Sequence, residues 1–138
     1  MMSTMRTVQT TYDGLQHCTA VVNPLDKSVA LDCPHTGKGE EISSTNMVEA
    51  AVAGCMLMSM GILAMQSNLD ITGTRTDVKI ASSDKPPYRF SSIDVVVTMA
   101  KNFSQRDRVK LETGANACPI KHSFGADIPI TVQYNYPE

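Results

Sequence analysis

No charge of one sign dominates this sequence: 12 Lys and Arg stand against 14 Asp and Glu, a formal net charge of −2 over 138 residues. That balance excludes the basic stripe of a nucleic-acid binder and gives no attraction to an anionic membrane surface. A secretory signal is lacking too, since Met1-Met2-Ser3-Thr4-Met5-Arg6 is polar, with no apolar run before a small-residue cleavage site. Cys18, Cys33, Cys55 and Cys118 show no C-x-x-C spacing. His17, His35 and His122 form no zinc-type helical pair, so no metal is expected. Gly37-Lys38-Gly39 lacks the P-loop frame, which leaves nucleotide binding unsupported, and no cofactor is expected. No repeat or low-complexity linker interrupts the chain. Four cysteines without a secretory signal point to the cytoplasm, where thiols stay reduced unless they work as redox groups.

What is present fits a single domain over residues 1–138, with an ordinary 42% hydrophobic content and a size that favours oligomers. One stretch has the length of a membrane span: Met47 to Met65 is nearly all apolar or small, and a span needs roughly 20 such residues. It contains Glu49 and Ser59, has no Trp or Tyr at either end, and is followed by no second span. The better account is a central helix buried all round, partly by another subunit.

Around that helix the pattern is α+β. Thr7 to Tyr12 alternates and runs into Asp13-Gly14, a hairpin signal, with Leu15 to Val22 returning antiparallel. Asn23-Pro24-Leu25-Asp26 is a turn, Ser28 to Cys33 a third strand, and Pro34 to Glu41 a loop. The helix starts around Ser43 to Asn46, with Asn46 and Glu49 spaced as a capping box, and ends near Ser67 with Asn68 as its stop. Strands are expected over Ile71 to Ser82 and Tyr88 to Ala100, separated by Lys85-Pro86-Pro87. Ser104-x-x-Asp107 opens a second helix, which Gly114 weakens. Cys118-Pro119 starts a short turn or helix, and Ile128 to Tyr134 is a last strand that Pro129 marks as an edge or a strand start.

Two of the thiols stand in distinctive contexts. Cys55 sits in the small-residue run Ala50 to Gly54, where a buried cysteine acting as a small hydrophobe is the plain alternative to a reactive one. Gly54 costs its helix about 1 kcal/mol relative to Ala, which close approach of another backbone would justify. Cys118, ahead of Pro119, is suited to an N-cap, where unpaired N–H groups favour a thiolate, and Lys121 and His122 follow within a turn.

With those segments in view, the chain resembles the OsmC/Ohr family of thiol-dependent hydroperoxide reductases. The resemblance rests on Gly37-Lys38-Gly39-Glu40, on Ser43 to Cys55, and on Cys118-Pro119-Ile120-Lys121-His122-Ser123, in family order. It implies an OsmC-like fold, with antiparallel strands wrapped around a central buried helix in an intertwined homodimer. It implies that Cys55 attacks an organic hydroperoxide and becomes a sulfenic acid, that Cys118 closes a disulfide on it, and that an external dithiol reopens the bond. Oxidative-stress defence is the implied role.

Peroxidases of the family carry a glutamate after a proline, upstream of the first cysteine, and an arginine from the N-terminal strands. Here Ser44 stands at the proline position, Thr45 and Asn46 near the glutamate, and Tyr12-Asp13-Gly14 in the arginine region. Asn46, Glu49, Lys38 and His17 are the candidate substitutes as activating groups. The alternative function is a dimer of the same fold that binds a small hydrophobic ligand with little or no turnover.

Overall fold

The computed structural model describes residues 5–138, so most of the opening segment read for a signal lies outside the described residues. Nine elements follow in order: β1 (Thr7–Gly14), β2 (His17–Asn23), β3 (Lys27–Asp32), α1 (Ser44–Gln66), β4 (Arg75–Ser82), β5 (Phe90–Thr98), α2 (Gln105–Asn116), α3 (Pro119–His122) and β6 (Ile130–Asn135). The expected α+β class is what forms, as two three-stranded sheets and helices. The chain divides into two compact units, residues 1–47 and 48–138.

The first unit holds the antiparallel sheet β1-β2-β3. Its register sets Tyr12 opposite Cys18 and Cys18 opposite Leu31, Thr10 opposite Ala20 and Ala20 opposite Val29, so period-two alternation gathers most apolar side chains on one face. The hairpin does not turn at Asp13-Gly14 as expected. β1 runs on to Gly14, and the reversal falls on Leu15 and Gln16, both left-handed at φ 54° and 63°. Asp13 is held as a strand residue because its carboxylate accepts from Thr19 Oγ1 at 2.7 Å and meets His17 Nδ1 at 2.8 Å on the returning strand. Gly14, at φ 93°, serves the register shift instead. Beyond β3, the buried Asp32 carboxylate accepts the backbone N–H groups of Glu40 and Glu41 at 2.9 and 3.2 Å and so ties down the loop.

The capping box of α1 lies three residues N-terminal of the expected pair, Asn46 and Glu49. Ser43 Oγ accepts from Asn46 N at 3.0 Å, and Asn46 Oδ1 accepts from Ser43 N at 3.1 Å. The helix begins at Ser44, so Ser43 is the N-cap and Asn46 the third helical residue, where the reciprocal bond must form. Its C-terminus is a Schellman motif: Asn68 is left-handed at φ 54°, Leu69 N–H bonds Ala64 O at 2.8 Å, and Asn68 N–H bonds Met65 O at 3.3 Å. The stop read at Asn68 is thus a geometric one.

In the second unit, β5 is central, antiparallel to β4 and parallel to β6. The all-antiparallel expectation gives way here because α2 and α3 form a crossover between β5 and β6, which returns the chain in the same direction. β4 starts at Arg75, later than Ile71, because an Asp70 side-chain turn onto Thr72 N and a left-handed Gly73 occupy the intervening residues. Pro129 stands just before the edge strand β6, and its carbonyl accepts from Ile93 N at 3.0 Å.

The core gathers Val52, Met56, Met60 and Ala64 of α1 with Ile93, Val95, Val97, Met99, Leu111, Ala115 and Cys118. The α1 residues recur every fourth position, one stripe and not the whole circumference. Met58, Ile62 and Met65 on another stripe are exposed, so the helix is not buried all round within its own chain. α1 has a mean hydropathy of 1.8 and the length to cross a bilayer, but its buried stripe belongs to a packed core.

Candidate active site: a thiol pair on α1 and α3

Both elements of this site lie in the second unit. Cys55 stands on α1 and is half-buried; Cys118 is the N-cap of α3 and is fully buried. The cap forms because Pro119 suits the first helical position and the Cys118 sulfur accepts from Lys121 N at 3.3 Å. Two further bonds fix the segment: Cys118 N–H to Ala115 O at 3.3 Å, and His122 N–H to Cys118 O at 3.2 Å. The His122 ring takes the Asn116 carbonyl at 2.8 Å, and the Tyr134 hydroxyl donates to Asn116 Oδ1 at 3.1 Å. Burial, with the Glu112 charge second, raises the Tyr134 phenol to about 12, so it stays a donor there.

The two thiols influence one another, and their acidities move apart. At Cys55 burial acts upward as the largest single effect. The bonds from the Cys118 thiol, the Ile120 backbone N–H and the Ser59 hydroxyl together outweigh it and leave the pKa below the ordinary thiol value. Cys118 is pushed up, first by burial, then by its hydrogen bond to Cys55 and by the charge there. The N–H groups of Lys121 and Ile120 oppose that rise without cancelling it. The N-cap of Cys118 is expected to favour its thiolate, but burial and the neighbouring Cys55 raise Cys118, and the lowered thiol of the pair is Cys55.

Chemically, such a pair offers a nucleophile next to a protonated thiol, which suits a sulfur that is oxidised and then captured by its neighbour. Ser59 and Ile120 contribute to this arrangement although sequence inspection had not singled them out. Ser59 was detectable as the residue one helical turn after Cys55. The Ile120 amide carries no signature at all.

Of the candidate activating groups, Asn46, Glu49 and His17 each have partners of their own. Asn46 is engaged in the Ser43 cap. Glu49 Oε2 accepts from Ile80 N at 3.1 Å, serving strand β4. His17 and Lys38 lie in the first unit, along a cleft of about 320 Å³ shared with Asp13, Asp32, Glu40 and Glu41. Cys33, in the same unit, has its pKa lowered by the Thr36 hydroxyl first, then by N–H groups of Thr36, His35 and Gly37. Among the described residues no three His, Cys, Asp or Glu side chains gather as a metal set.

An α+β chain with two three-stranded sheets, one long helix and two shorter ones has a fold that recurs among known proteins. Residues 37–133 match the OsmC-like protein family, and the chain belongs to that family. A comparison with curated proteins returns no match. Among solved structures, it is similar to a protein from Psychrobacter arcticus named for osmotic stress induction and detoxification response. Identity is 27%, with 97% of this chain and 98% of the other covered, at a TM-score of 0.88. The fold is also that of an OsmC-like protein from Mycoplasma pneumoniae (13% identity, 99% and 100% covered, TM-score 0.84). The organic hydroperoxide resistance protein OhrB of Bacillus subtilis shares it as well (12% identity, 94% and 98% covered, TM-score 0.70).

Proposed function

We propose that this chain reduces organic hydroperoxides through Cys55, with Cys118 as the resolving thiol, and serves oxidative-stress defence. The observation that carries this is the thiol pair of α1 and α3, half-buried Cys55 with the buried N-cap Cys118, whose acidities are shifted in opposite directions. Fold relatives named for organic hydroperoxide resistance support it.

The Cys55 thiolate attacks the terminal peroxide oxygen, the O–O bond breaks, and an alkoxide leaves and takes a proton to become the alcohol. Cys55 is now a sulfenic acid. The Cys118 sulfur attacks it, forming the disulfide, and the hydroxyl departs with the Cys118 proton as water. An external dithiol then returns two electrons and two protons by thiol–disulfide exchange. No cofactor enters.

A homodimer in the cytoplasm is part of the proposal. The exposed stripe Met58, Ile62 and Met65 on α1 and the apolar face of β1-β2-β3 supply surface whose burial is worth about 25 cal/mol per Å². Gly54 meets nothing closer than Met58 Cε at 3.8 Å and Gly61 nothing within 4 Å, so that helix has open room for a partner backbone.

One observation favours a second function, the binding of a small hydrophobic ligand with little turnover. Asn46, near the family glutamate position, is committed to the helix cap. Reduced protein treated with one equivalent of cumene hydroperoxide separates the two. Peptide mapping is expected to find a Cys55–Cys118 disulfide within seconds, and none in Cys55→Ser. Thiols still free after minutes overturn the peroxidase and leave the binding protein.

A further inference from the structure

We infer that Gly114 is a positioning residue for the thiol pair: the missing side chain lets α2 lie directly on α1, and that contact sets the distance between Cys118 and Cys55. The inference deepens the proposed function and rests on it.

Gly114 is buried inside α2, where glycine is a poor helix former. A Cβ built there would lie 3.0 Å from Leu63 Cγ, 3.2 Å from Leu63 Cβ and 3.1 Å from the carbonyl oxygen of Ser59. A leucine side chain can yield; the backbone oxygen of a continuous helix cannot. Any side chain at 114 therefore moves α2 away from α1 by some tenths of an ångström. Gly54 and Gly61 of α1 meet no such contact, so among the glycines of the two long helices the crowding falls on Gly114.

Both ends of that contact lead to the thiols. On α2, the Gly114 carbonyl accepts the N–H of Ala117 at 3.1 Å, and Ala115 O accepts that of Cys118 at 3.3 Å. A shift at Gly114 is thus passed through one helical turn into the Cys118 backbone. On α1, the Ser59 carbonyl that a Cβ at 114 would meet lies one helical turn after Cys55. The contact that needs a glycine thus joins the turn leading to Cys118 to the turn following Cys55.

The test is the thiol–disulfide equilibrium of Cys55 and Cys118 in the full chain, in buffers of reduced and oxidised glutathione. There the two thiols give two electrons and two protons to glutathione disulfide. Gly114→Ala is expected to favour the open dithiol by about tenfold relative to the parent, since small misplacements of reacting groups cost large factors. Its Cys55 thiolate should also titrate at higher pH, read by thiolate absorbance. Thr113→Gly, at an exposed position of the same helix, should weaken α2 without moving either value. If Gly114→Ala does not fold, Gly and Ala at 114 are compared in a Leu63→Ala background, which removes the 3.0 Å contact but keeps the Ser59 carbonyl. Matching equilibria and titrations, in either background used, overturn the role of Gly114. A parent that never closes the disulfide overturns the functional proposal and this inference together.

Discussion

Cys55 and Cys118 act on one another's acidity, and the two sulfurs respond in opposite directions, Cys55 down and Cys118 up. Where family peroxidases carry a glutamate and an arginine, the groups that lower the Cys55 pKa here are neutral donors: a thiol, a hydroxyl and an amide. Neutral donors favour a thiolate less strongly than a cation does, but half-burial at Cys55 strengthens each of them.

A pH profile of alkylation follows. Cys55 should react with iodoacetamide at lower pH than an ordinary thiol, and Cys118 only at higher pH. The signs carry through to stability. Cys118, raised in the folded state, contributes stability below the unfolded thiol pKa that is lost as pH climbs through its folded value. Cys55, lowered, contributes above the unfolded value and loses it as pH falls through the folded one. Cys118→Ala removes the donor and should move the Cys55 midpoint upward; an unmoved midpoint refutes the hydrogen bond's part in it.

Ser59→Ala should slow peroxide reduction at neutral pH by about tenfold, the size expected for one hydrogen bond to a charged acceptor. Stopped-flow measurement of Cys55 oxidation reads this directly. A loss that persists at high pH, where Cys55 is ionised regardless, would assign Ser59 to packing.

Leu15→Asn should stabilise the fold by about 0.5–1 kcal/mol in urea titration, because asparagine tolerates the left-handed conformation that leucine resists. The Leu15 side chain is 82% exposed, so little packing is lost. A destabilised variant would show that the turn relaxes without cost in the parent.

Ser43→Ala and Asn46→Ala should each cost about 1 kcal/mol, and the double variant less than their sum, since each residue satisfies the other's backbone N–H. Full additivity would mean that the two bonds are independent. A changed Cys55 midpoint in Asn46→Ala at unchanged stability would return Asn46 to the site.

How far these features could be read in the sequence depended on the range of the interactions behind them. Asn68 was recognisable as a helix stop because the Schellman motif is local, and Pro129 marked an edge because it has no N–H to give. The cap was misassigned by one candidate pair because Ser43, Ser44, Thr45 and Asn46 all suit the role, and only three-dimensional bonding selects Ser43. Asp13-Gly14 read as a turn, but contacts to Thr19 and His17 across the hairpin drew Asp13 into the strand. The pairing of Cys55 with Cys118 came from family resemblance. Their opposed acidities could not be read, since they depend on burial and on the Ile120 amide, neither of which has a sequence signature.

The parallel union of β5 with β6 has a consequence for how the molecule is made. Antiparallel β4 and β5 can zip from their own connection, whereas β6 can pair only after the whole α2–α3 crossover has been laid down. Tyr134, on that last strand, is what grips Asn116 beside the Cys118 turn. On a ribosome, Cys55 would emerge and fold into its helix well before its companion is anchored. A newly synthesised chain therefore passes through an interval with one unguarded thiol, and the safeguard arrives only with the final strand.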